Sequence, residues 1–119
     1  MAKKDFQCVQ RHADMESLKS MTMEESKQVL AALSKGIAHP ARVQIVNILA
    51  NKSCEQRCIC GDIVNALPLA QSSVSQHLRV LKKTGWIQGK ISGPSVCYCL
   101  VDGIVDFYRS LLTQAIGIE

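Results

Sequence analysis

The chain has 119 residues, 47% of them apolar, and a formal net charge of +4. That length makes a single domain with one modest core. No stretch approaches the roughly 18 apolar residues of a membrane span, and the polar, charged first 19 residues contain no signal-peptide core, so a cytoplasmic location with no membrane partner is expected. The positive balance permits nucleic-acid binding but falls short of a strongly basic signature, so the placement of the charges has to decide.

Residues 1–20 show no clear period and read as a flexible N-terminal arm or a frayed helix. From Thr22 a helix start is written out, with Glu25 three residues on to complete a capping box. Val29, Leu30, Leu33 and Ile37 follow at helical spacing, and Gly36 and Pro40 end the segment. Pro40 then suits the first position of a helix over 40–50, with Val43, Val46, Ile48 and Leu49 expected inward. Residues 57–59 read as a very short strand and 61–67 as a short helix. After a turn at 67–70, a helix over 71–84 carries Val74, Leu78 and Leu81 on one face and closes at Gly85. Residues 86–91 and 96–101 read as two strands joined by the hairpin chemistry of Ser92, Gly93, Pro94 and Ser95. A last helix over 103–116 presents Ile104, Phe107, Leu111, Leu112 and Ala115.

This order is that of a mostly helical winged helix-turn-helix with a small β-hairpin wing, over residues 21–119. The two outer helices carry more apolar face than so small a core absorbs. A homodimer through the N- and C-terminal helices would bury it, and its two-fold symmetry would suit an inverted repeat in double-stranded operator DNA.

The helix over 71–84 is the most informative segment. Opposite its apolar face stand Gln71, Ser72, Ser73, Ser75, Gln76, His77 and Arg79, short donors and acceptors suited to base edges and phosphates. A solvated helix face would favour Glu and Lys, because Ser has weaker helix propensity. Between Asp62 and Asp102 there is no acidic residue at all. The expected function is therefore sequence-specific DNA binding. Lys90, in the wing, is placed to reach a phosphate beside this helix, and equally to guard an edge strand against aggregation.

The segment over about 25–101 resembles the ArsR/SmtB family of metal- and metalloid-responsive repressors. The resemblance rests on His39-Pro40-Ala41-Arg42, on Cys58-Ile59-Cys60, and on Ser72, Ser75, His77 and Leu78 followed by Leu81, Lys82 and Gly85. It implies a homodimeric repressor that leaves DNA when its inducer binds.

Six cysteines, at 8, 54, 58, 60, 97 and 99, are many for so short a chain, and in a reducing compartment clustered cysteines serve metals or redox chemistry more often than they staple a fold. In a winged helix the strand at 57–59 pairs with the second hairpin strand. That pairing would bring Cys58, Cys60, Cys97 and Cys99 to one outer surface. The resemblance implies sensing of trivalent arsenic or antimony, as arsenite or antimonite, with Cys58 and Cys60 as ligands. Ile63 stands where a third cysteine would follow, so the remaining sulfur comes from Cys97 and Cys99, or from Cys54. A cadmium or zinc site of four thiolates, a redox or persulfide switch, and plain burial of the thiols compete with this reading. The last helix offers Asp102 and Asp106 but no histidine, which argues against a zinc site there. No organic cofactor is expected. Nor is an enzyme expected, since the Cys-x-x-Cys of a thiol oxidoreductase and an anion-binding loop are both missing.

Overall fold

The computed structural model describes residues 13–51, 58–59, 71–92 and 95–118. Five helices and three strands are described: α1 (Met15–Ser20), α2 (Met23–Gly36), α3 (Pro40–Ala50), β1 (Cys58–Ile59), α4 (Gln71–Thr84), β2 (Ile87–Ser92), β3 (Ser95–Leu100) and α5 (Ile104–Ile116). The expected helix over 61–67 and the cysteines at 8, 54 and 60 lie outside the described residues.

α1 falls inside the stretch expected to be an arm. Asp14 caps it by accepting from the Glu16 amide, and Leu18 is buried in the core. α2 begins on the anticipated capping box. Thr22 Oγ1 accepts from the Glu25 amide at 3.1 Å while Glu25 Oε1 accepts from the Thr22 amide at 2.8 Å. The Thr22 amide, and after it the Thr22 hydroxyl, stabilise the carboxylate and hold the Glu25 pKa below its ordinary value. α3 has Pro40 in its first turn, with His39 as N-cap. It buries Ile45 and Leu49, whereas Val43, expected inward, is 49% exposed.

α4 buries the expected Val74, Leu78 and Leu81 and ends in a Schellman turn. Gly85 takes a φ of 102°, and the Trp86 amide reaches back to the Leu81 carbonyl at 3.0 Å. The turn delivers Trp86 into the core, 2% exposed, with its Nε1 donating to the Leu33 carbonyl at 2.7 Å. Trp86 thus precedes the hairpin instead of starting it, and β2 and β3 each begin one residue away from the expected positions.

The sheet runs in the order β1-β3-β2, antiparallel throughout, with Cys58 opposite Cys99, Lys90 opposite Cys97 and Ile87 opposite Leu100. α5 buries Ile104, Phe107, Leu111 and Ala115, while Leu112 is exposed because it lies one step round the helix. α5 packs on α2, where the Ser34 hydroxyl and the Tyr108 hydroxyl share a hydrogen bond of 2.7 Å.

Candidate nucleic-acid interface and thiol cluster

α4 is held from beneath. Val74 and Leu81 are fully buried and Leu78 nearly so, which fixes the rotation of the helix about its own axis. The opposite side is left to solvent: Ser73, Ser75, Gln76 and Arg79 are exposed. Gln71 and Ser72 belong to the first turn and Lys90 to β2. The helix has no acidic residue in its first turn, and Lys82 and Lys83 lie in its last. No residue of α4 is acidic, so the helix itself carries nothing that repels a polyanion.

His77 is set apart from these neighbours. Its ring is half-buried and lies against the ring of His39, with centroids 4.5 Å apart. Arg42 Nη1 lies 3.1 Å from His77 Nδ1. A guanidinium only donates, so His77 Nδ1 is the acceptor and its proton sits on Nε2. Removal from water, reinforced by the positive charges of His39 and Arg42, holds the His77 pKa below its usual value. Arg42 itself is anchored to the end of α2, with Nε donating to the Gly36 carbonyl at 2.6 Å and Nη2 to the Lys35 carbonyl at 3.3 Å. His39 Nδ1 accepts from the Ala41 amide at 3.0 Å. The contact of Arg42 with His77 is not legible in the sequence, because 35 positions separate the two and no local period reports it.

The thiols differ from expectation in one respect. Cys97 and Cys99 share a face of β3, as alternation requires, but that face is not an outer surface: they are 2% and 0% exposed. β3 is the middle strand, flanked by β1 and β2 and packed against α3, and both cysteines are disulfide-bonded. Cys58 stands directly across the ladder from Cys99. Among the described residues no three histidine, cysteine, aspartate or glutamate side chains gather as a metal site. The site proposed from sequence depends on Cys58 and Cys60, whose side chains are not among those described. Asp106 of α5 pairs with Arg109 at 3.6 Å on the surface.

The profile of the bacterial regulatory protein arsR family matches residues 39–88, which run from the α3 cap through α4 into β2. Over 97 residues the chain is 32% identical to the HTH-type transcriptional regulator CmtR of Mycobacterium bovis, covering 82% of this chain and 73% of that one. The chain belongs to the arsR family. It is also 35% identical over 92 residues to the HTH-type transcriptional repressor SmtB of Mycobacterium tuberculosis, covering 77% of this chain. It spans only 65% of that relative's length. Among solved structures, HlyU from Vibrio cholerae superposes with a TM-score of 0.60 at 27% identity, covering 76% of this chain and 95% of that one. The fold is therefore the winged helix of these arsR-type regulators, and no helix among the described residues is long and apolar enough to cross a membrane.

Proposed function

We propose that this arsR-family protein is a homodimeric repressor that binds an inverted-repeat operator through α4 and the β2–β3 wing, and is released when an effector engages its clustered thiols. The DNA-binding half of the reading is supported by the exposed, acid-free face of α4, where Ser73, Ser75, Gln76 and Arg79 would meet base edges and phosphates. The dimer is supported by α5, whose Val105, Leu112 and Ile116 lie along one exposed face at 39%, 42% and 61% exposure.

The observation that carries the effector half is the ladder itself. Cys99 lies opposite Cys58, and Cys97 lies opposite Lys90, the wing position proposed to reach DNA. Directly opposed residues of an antiparallel pair have Cβ atoms about 5 Å apart, so a ligand bridging β1 and β3 acts on a strand of the wing, one strand away from Lys90. Cys58, Cys60, Cys97 and Cys99 would supply thiolates, with Cys54 as a further candidate, and thiolates select soft acceptors. Arsenite or antimonite is the first reading, and cadmium or zinc would suit four sulfurs equally. The disulfide bonds of Cys97 and Cys99 favour a second reading, in which oxidation or persulfide chemistry is the signal. For a metal or metalloid to bind, each disulfide must first take two electrons and two protons from a dithiol, which is itself oxidised.

The test is fluorescence anisotropy on a labelled duplex from upstream of the protein's own gene. Fully reduced protein is titrated separately with arsenite, cadmium, zinc and the thiol oxidant diamide. Release by a soft ion at about one per protomer supports the metal reading, and release by diamide alone supports the redox reading. Release that survives simultaneous replacement of Cys58, Cys60, Cys97 and Cys99 by Ser would refute the site, and absence of specific binding would refute the repressor.

A further inference from the structure

α4 is the element proposed to touch DNA, and its hold on the rest of the molecule has two parts. Its apolar face fixes rotation about the helix axis. Among the described residues the polar hold lies at one residue, His77, and comes from the junction between α2 and α3. Arg42 leaves the first turn of α3, spans the end of α2 by donating to the Gly36 and Lys35 carbonyls, and reaches His77 Nδ1. His39, the cap of α3, covers the same ring. Arg42 and His77 are half-buried and His39 is exposed, and Arg42 forms no ion pair with a carboxylate among the described residues. Its fork is spent on two carbonyls and one imidazole, which is the arrangement of a strut and not of a ligand site.

We infer that Arg42 is a positioning residue for DNA binding, and that it acts through His77 by locking α4 to the α2–α3 junction. This rests on the reading of α4 as the DNA-contacting helix, and it assigns His77 to a hold where the sequence alone suggested a contact. The two roles make opposite demands on the proton. A histidine that touches phosphate binds better once protonated. A histidine that accepts from a guanidinium loses that bond once Nδ1 carries a proton, and it then meets Arg42 as donor against donor and cation against cation. The charged and titratable groups acting on the His77 ring are His39 from the α3 cap and Arg42 from α3 itself, both cationic when protonated. Acidification therefore loosens the strut, and among the described residues no carboxylate contacts these groups to offset it.

The experiment follows the affinity of the reduced full-length protein for the labelled upstream duplex from pH 8 to pH 5.5 at constant ionic strength. It compares the natural chain with R42K and H77N, because the Asn side-chain oxygen takes the place of Nδ1 and stays an acceptor at every pH. The natural protein should weaken by about fivefold or more as pH falls, a magnitude at the low end of site-to-site coupling. R42K should bind weakly even at pH 8, and H77N should lose much of the pH dependence while the salt dependence stays unchanged. Affinity that rises on acidification, with H77N abolishing the rise, would make His77 a phosphate contact and overturn the inference. An R42K profile that matches the natural one would overturn it as well. A readout without DNA separates this from failure of the repressor reading: imidazole 15N shifts of the free protein should report the Nε2–H tautomer of His77 and change in R42K. An Nδ1–H tautomer would refute the strut even if the operator binds. A correct tautomer with no specific DNA binding would refute the DNA role alone.

Discussion

Gly36 closes α2, where helix propensity alone would make alanine more stable by about 0.5–1 kcal/mol. Packing dictates the opposite sign. A Cβ built on Gly36 would collide with Thr84 Oγ1 and would lie 2.6 Å from Trp86 Cδ1 and 2.8 Å from Trp86 Nε1. Neither neighbour yields easily. Thr84 Oγ1 donates to the Val80 carbonyl at 2.8 Å, and the indole is fixed by Leu33 on one side and by the Tyr108 ring, 5.2 Å away, on the other. Overpacking of this kind costs about 1–3 kcal/mol, and a displaced indole would strand the Leu33 carbonyl. Gly36→Ala should therefore lose about 1–2 kcal/mol after the helical gain is allowed for. At a urea dependence of roughly 1.5 kcal/mol per molar, the unfolding midpoint falls by about 1 M. The assay is urea unfolding of reduced protein at one fixed concentration, because the stability of the proposed dimer would depend on concentration. The double variant with Thr84→Ala should recover part of the loss, which makes the pair non-additive. A midpoint that is unchanged or raised in Gly36→Ala would refute the reasoning.

Three further outcomes follow from single contacts. Trp86→Phe keeps most of the apolar volume but leaves the Leu33 carbonyl without its donor, and should cost about 1–3 kcal/mol in the same unfolding assay. Thr22→Ala removes the α2 cap and should cost about 1 kcal/mol. Because the folded Glu25 pKa is depressed, its contribution is present above the unfolded value and is lost as pH falls through the folded one, so acid unfolding curves of the two proteins should converge at low pH. Arg79→Ala should weaken operator binding and, if Arg79 neutralises one phosphate, reduce the slope of log affinity against log salt by about 1.

Much of this was legible in the sequence where one face of an element differs sharply from the other. Val74, Leu78 and Leu81 stand out on α4 because the rest of that helix is polar, and the Thr22–Glu25 box is written in residue types alone. α3 was harder to orient. Pro40–Ala50 is apolar nearly all round, so its period does not choose between Val43 and Ile45, and tertiary packing buries Ile45. Strand alternation placed Cys97 and Cys99 on a common face, yet it carries no information about what covers that face. The cover comes from the middle position of β3 and from covalent bonding of the sulfurs. The Arg42–His77 contact is a product of how α3 and α4 meet, and neither helix announces it by itself.

The amide of Gln114 on α5 donates to the Leu18 carbonyl at 2.8 Å and to the Ser26 hydroxyl at 2.9 Å, joining residues 96 and 88 positions apart. A ribosome making this chain therefore releases the two N-terminal helices long before the helix that receives them exists. They wait with Leu18 and Ser26 lacking their partner, and contacts of such long sequence separation close slowly. The emergence of α5 is then the moment at which the packing of α1 and α2 is completed. A nascent chain stalled before α5 would remain a substrate for chaperones and proteases, however well formed α4 is.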